Sequence, residues 1–99
     1  ELVIYASKGR STTWCGEGRP INVLFHDRIR SEVHPTEKPE SLLREFIEVA
    51  TYPGEVVLDP FMGVGSTILA AHDLGRIGIG VEIDEDYYLE ASRRLVERG

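Results

Sequence analysis

The stretch Asp59-Pro60-Phe61-Met62-Gly63-Val64-Gly65-Ser66-Thr67 limits what this chain can fold into more than any other feature. An apolar run, Val56-Val57-Leu58, leads into an acid and then a glycine turn. A helix-like segment follows, and a second apolar run ends in Gly80-Val81-Glu82-Ile83-Asp84. That order reads as strand, turn, helix, strand, with the turn built for close approach of a nucleoside ligand. Glu82 stands 23 positions after Asp59, where the end of a second strand can meet a ribose.

The ligand class is narrowed by what the turn lacks. A pyrophosphate-binding turn wants a third glycine, and that position is Ile68. Asp59 would also repel a pyrophosphate. A P-loop is excluded because no Lys follows Gly65. Asp59 makes sense beside an ammonium group, and Glu82 beside two ribose hydroxyls. A ligand with an ammonium, a carboxylate and an adenosine ribose is S-adenosylmethionine.

The rest of the chain fits an α/β class: a partial, doubly wound, Rossmann-like sheet, mostly parallel and cut short. Residues 2–6 read as a buried strand, being short, β-branched and aromatic. Residues 10–33 have no sustained period and read as a long loop, with a short strand at 21–25 as an option. His34-Pro35-Thr36-Glu37-Lys38-Pro39 makes an extended turn, since each proline biases its predecessor away from helix. Leu42, Leu43, Phe46, Ile47 and Ala50 then fall at helical spacing, with Arg44, Glu45 and Glu48 outward. Tyr52-Pro53-Gly54 stops that helix. The spacing predicts further strands at 56–58 and 77–83 and a helix over 66–74, which Gly75 ends. The unbroken apolar character of 77–83 predicts a parallel strand covered on both faces. Asp84 caps a last helix whose inward side carries Tyr87, Ala91 and Leu95. Three strands are few against the usual five or so.

Composition sets the class but not the chemistry. With 99 residues the chain is a single, small domain, and nothing approaches the roughly 20 apolar residues of a membrane span. Cys15 is the only cysteine, so no internal disulfide forms and a cytoplasmic setting fits. The net charge of −6 is uneven. Residues 8–30 carry five Lys and Arg against two acids, whereas residues 39–99 carry five Arg against twelve acids. The acidic part is a poor surface for nucleic acid, and the basic part is the one candidate for a polyanion. Basic residues in a loop are ordinarily just solvated. His26, His34, His72 and Cys15 lack the spacing of a metal site, so no metal is expected.

Three motifs together carry a resemblance. The turn from Asp59 to Thr67 resembles the cofactor motif of DNA methyltransferases that modify the exocyclic amine of adenine (N6) or cytosine (N4). His34-Pro35-Thr36-Glu37-Lys38-Pro39 resembles the companion motif these enzymes place ahead of the first helix, and Gly80-Val81-Glu82-Ile83-Asp84 with Tyr87 resembles their second-strand acidic motif. The resemblance implies that Asp59 and Phe61 line the methionine end of S-adenosylmethionine, with the backbone of Gly63 and Gly65 packed on it. Thr36, Lys38, Ser66 and Thr67 would lie near its carboxylate, Glu82 would hold the ribose, and Ile83 would pack on the adenine. Taken alone, Thr36 and Lys38 are an ordinary turn with a solvated lysine, and Phe61 is a core residue.

The same family carries a second motif, Asp or Ser followed by Pro-Pro-Tyr or Pro-Pro-Phe, which holds the target amine while an aromatic ring stacks on the flipped base. No Pro-Pro pair occurs in this chain, so no catalytic residue is expected in it. One permuted group places the catalytic half first, then a target-recognition segment, then the cofactor half. Residues 1–9 resemble the late strand that follows the catalytic half in that group. The chain is thus expected to be the C-terminal, cofactor-binding part, with residues 34–99 as the cofactor half and the missing N-terminal half upstream. Residues 10–33 would then end the recognition segment. Arg10, Arg19, Arg28 and Arg30 would approach double-stranded DNA through phosphates, while Trp14 wedges there or anchors the loop. Two other readings stand beside this one: a non-catalytic S-adenosylmethionine-binding or split-enzyme subunit, and a dinucleotide-binding oxidoreductase fragment.

Overall fold

The computed structural model describes Ile4, Ala6, Lys8 and residues 39–99. Helix α1 (Glu40–Ala50), strand β1 (Val56–Asp59), helix α2 (Ser66–Asp73), strand β2 (Ile77–Gly80) and helix α3 (Glu85–Arg98) follow in that order. The two strands pair in parallel, Val56 opposite Ile77 through Asp59 opposite Gly80, with α2 as their connection. This is the β-α-β unit expected of the glycine-turn segment. The third strand predicted at 2–6 is not seen at the two positions described there. Ile4 and Ala6 lie in no strand, and Ile4 is 91% exposed. The loop at 10–33, the optional strand at 21–25 and the turn at 34–38 lie outside the described residues.

Helix α2 is buried almost all round, with Ile68, Leu69, Ala70 and Ala71 at 5% exposure or less. It rests on both strands and takes α1 along one flank and α3 along another. Ile47 of α1 joins Ala70 and Ala71 in the core, and Leu43, Val57 and Leu74 pack around them. The close seat of α2 on β2 depends on two glycines. A Cβ at Gly78 would meet Ile68 Cγ2 at 2.9 Å and the Ile68 backbone at 3.3 Å. One at Gly80 would run into Met62 Sδ and meet Ile68 Cγ1 at 2.9 Å.

Polar contacts, local and long-range, set the ends of the elements. Thr51 Oγ1 donates to the Ile47 carbonyl (2.6 Å) and closes α1. Arg76 reaches from the start of β2 back to Thr51, its Nε donating to Oγ1 (2.9 Å) and its Nη2 to the carbonyl (2.7 Å), while Nη1 donates to the Leu74 carbonyl (2.7 Å). Arg98 of α3 donates to both Glu40 (3.0 Å) and Asp73 (2.8 Å), joining all three helices. Arg44, expected to face outward, is half-buried and pairs with Asp73 at 3.5 Å. Among the described residues no helix is long and apolar enough to cross a membrane.

Two expectations about the sheet are corrected. Strand β2 stops at Gly80, three residues short of Ile83. Val81 N–H still donates to the Asp59 carbonyl (2.9 Å), and a regular parallel ladder would continue from Phe61 N–H to the Val81 carbonyl. The Asp59 carboxylate captures that Phe61 N–H instead (3.0 Å), and Met62 N–H takes the Val81 carbonyl (3.0 Å). Nor do the described elements cover the sheet on both faces. Val56, Leu58, Ile77 and Ile79 all point away from α2 and are about half exposed.

Candidate functional site

The turn between β1 and α2 concentrates the chemistry. Asp59 ends β1, and its Oδ1 accepts the Phe61 N–H, which makes the chain leave the strand sharply. Gly65 N–H then donates to the Met62 carbonyl (2.9 Å). Gly63 (φ 56°) and Gly65 (φ 87°) hold left-handed backbone that a side chain would strain. Gly65 is also the N-cap of α2 and has no side chain of its own to cap the helix, so the turn lies at the positive end of the helix. A Cβ at Gly65 would lie 3.1 Å from that of Ala91, so α3 backs the turn directly.

Glu82 closes the site from the other side. Just beyond β2, it is half-buried against the turn: Oε1 accepts the Gly63 N–H at 2.9 Å and Oε2 accepts the Asp84 N–H at 2.8 Å. Asp84 in turn caps α3, its Oδ1 accepting the Tyr87 N–H at 3.0 Å. Glu85 and Asp86 in the first turn of α3 suit the helix dipole and add to the acidic rim. The predicted packing stripe of that helix is present, with Ala91 buried and Tyr87 and Leu95 half-buried.

The site residues expected from sequence thus divide into three groups. Asp59, Gly63, Gly65, Ser66, Thr67 and Glu82 gather at one turn, with Ser66 buried at the start of α2. Phe61 (87% exposed) and Ile83 (101%) flank the turn as uncovered apolar side chains. Phe61 is therefore not packed into the core that the described elements form. Thr36, Lys38, Arg10, Arg19, Arg28, Arg30 and Trp14 lie outside the described residues.

The fold adds two residues that the sequence reading missed. Arg94 of α3 donates to the Val64 carbonyl at 2.9 Å and anchors the back of the turn. Its signal was its place three residues after Ala91, a cation on the inward stripe of a helix. Met62 fills the space that Gly80 leaves open, which only the packing of β2 against the turn reveals.

Carboxylates accept hydrogen bonds and do not donate them, so Asp59 and Glu82 select hydroxyl or ammonium donors and disfavour phosphate. Among the described residues no group of three or more His, Cys, Asp or Glu is placed to hold a metal.

Similarity to known proteins agrees with this geometry. The profile of a family described as DNA methylase matches residues 5–93. YubD of Escherichia coli (strain K12) is 50% identical over 62 residues, covering 63% of this chain and 27% of YubD. The DNA adenine methyltransferase YhdJ of the same strain is 43% identical over 81 residues, covering 77% of this chain and 28% of YhdJ. The crystal structure of the M1.HpyAVI–SAM complex superposes with a TM-score of 0.64 at 40% identity, covering 70% of this chain and 34% of that one. The chain spans little more than a quarter of the length of YubD or YhdJ.

Proposed function

The chain belongs to the DNA amine methyltransferase family, and from that premise we propose that it is the S-adenosylmethionine-binding part of an enzyme methylating adenine N6 or cytosine N4 in double-stranded DNA. The observation that carries this reading is Glu82 Oε1 at 2.9 Å from the Gly63 amide, which brings the second-strand acid to the glycine turn. The residues present fit the cofactor. Two acceptor-only carboxylates flank buried glycine backbone, and exposed Phe61 and Ile83 offer apolar surface on either side.

Each residue then has a role. Asp59 accepts hydrogen bonds from the ammonium group and Phe61 lines the methionine end. Gly63 and Gly65 let the backbone approach, while Ser66, Thr67, Thr36 and Lys38 lie near the carboxylate. Glu82 accepts from the ribose hydroxyls and Ile83 packs on the adenine. When bound, the cofactor supplies a methyl group on a positively charged sulfur.

The amine-holding motif lies in polypeptide outside these 99 residues, because the chain has no Pro-Pro pair. Arg10, Arg19, Arg28 and Arg30 contribute phosphate contacts to DNA in the complete enzyme, which works in the cytoplasm. The missing motif also favours a second reading, a subunit that binds the cofactor and relies on a separate catalytic chain.

Calorimetry tests the proposal. S-adenosylmethionine and S-adenosylhomocysteine should bind and NAD should not. Glu82→Ala should cost roughly 1–3 kcal/mol of affinity, the scale of lost hydrogen bonds to a charged group. NAD binding more tightly than either S-adenosyl compound would overturn the assignment, and an unchanged affinity in Glu82→Ala would remove Glu82 from the ribose.

A further inference from the structure

We infer that Glu82 is also a positioning residue: its carboxylate holds the glycine turn in the ligand-ready shape before any cofactor arrives. The two oxygens do separate work. Oε1 accepts from Gly63, 19 residues earlier in the chain, and Oε2 accepts from Asp84, two residues later. The carboxylate therefore ties the turn between β1 and α2 to the start of α3.

Gly63 is the place where such a tie has most effect. Its left-handed backbone (φ 56°) belongs to a residue that adopts many conformations at little cost, so fixing its N–H selects one of them. Its neighbours are already held. Phe61 N–H is bound to Asp59, Met62 N–H to the Val81 carbonyl, Gly65 N–H to the Met62 carbonyl, and the Val64 carbonyl to Arg94. Glu82 completes that set at the centre of the turn.

Both partners of Glu82 are donors, so the side chain must accept at both ends. An ionised carboxylate does so and keeps lone pairs on each oxygen for ligand hydroxyls. Glutamine has the same length but one acceptor, and its amide NH₂ would face an N–H donor. Aspartate is one methylene shorter and cannot reach both amides from the same backbone. One carboxylate thus joins turn geometry to ligand contact, and this functional meaning rests on the reading of the site as a cofactor site.

The test is amide hydrogen exchange on the full chain without cofactor, where a role confined to ribose contact can have no effect. In the wild type the Gly63 amide should be protected. In Glu82→Ala, which removes both acceptors, it should exchange about ten-fold faster or more, the scale of a lost hydrogen bond to a charged acceptor. The Thr51 amide at the end of α1 should keep its rate. Equal Gly63 exchange in both proteins would overturn the inference.

If Glu82→Ala loses protection throughout, the wild type alone decides. A scalar coupling across the hydrogen bond from the Gly63 nitrogen to the Glu82 carboxyl carbon supports the role, and its absence refutes it. A second arm titrates S-adenosylhomocysteine, for which Glu82→Ala should lose affinity as well, and an unchanged affinity would separate the shape of the turn from ligand contact. Because the exchange measurement uses no cofactor, its failure is distinct from failure of the cofactor assignment.

Discussion

Gly78 and Gly80 occupy the same face of β2, yet a methyl group at each would disturb different things. At Gly78 it would press on Ile68, including backbone atoms that cannot swing aside, so α2 would have to lift from the sheet. At Gly80 it would drive into Met62, directly under the glycine turn. Overpacking of this kind costs about 1–3 kcal/mol, which outweighs the 0.4–1 kcal/mol or so that Gly→Ala recovers from the unfolded chain. Both Gly78→Ala and Gly80→Ala should therefore lower stability in urea unfolding. Gly80→Ala alone should also weaken S-adenosylhomocysteine binding per folded molecule, because it displaces Met62 and with it the turn. Equal affinity in the two variants would separate Met62 from the site.

Two arginines show how context decides the worth of a contact within and between elements. Arg93, on the exposed side of α3, bridges Glu90 and Glu97. Its hydrogen bond holds the Glu90 carboxyl below its usual range, but exposed pairs of this kind add little to stability. Arg76 is half-buried, and its three hydrogen bonds tie the end of α1 to the end of α2 and the start of β2. Arg76→Ala should cost about 1.5–3 kcal/mol, since it strips two backbone carbonyls of a charged donor. Arg76→Lys should recover only part, because an ammonium lacks the planar fork that reaches Thr51 and Leu74 together. Urea unfolding of the two variants checks this, and a loss under about 0.5 kcal/mol for Arg76→Ala would make the latch incidental.

At the scale of the whole fold, the described elements cover one face of the sheet and leave the other without cover. Helix α2 covers Val57, Gly78 and Gly80, while Val56, Leu58, Ile77 and Ile79 form an apolar surface that no described element covers. Parallel sheets are normally covered on both faces, and the chain spans only 27% and 28% of YubD and YhdJ. The purified chain should accordingly bind an apolar fluorescent dye, and Leu58→Thr with Ile79→Thr should reduce that binding while helical content stays constant. The same chain should transfer no labelled methyl group to mixed-sequence DNA. Robust transfer would place the amine-holding machinery inside these 99 residues.

The helices and strands of residues 40–98 and the acids were legible in the sequence because their signals are local. Helical spacing in 42–50, the caps at Gly75 and Asp84, and the acids at the two strand ends all depend on near neighbours. The length of β2 was not legible. Its apolar run continues to Ile83, but the ladder stops where Asp59 captures the Phe61 amide, an event on the other strand. The tertiary structure alone decided that the Glu82 carboxylate would meet the Gly63 amide, that Arg94 would back the turn, and that the described helices would all leave one sheet face uncovered. Each depends on how segments far apart in the chain are oriented in space, and a periodicity read along a single segment carries no record of that.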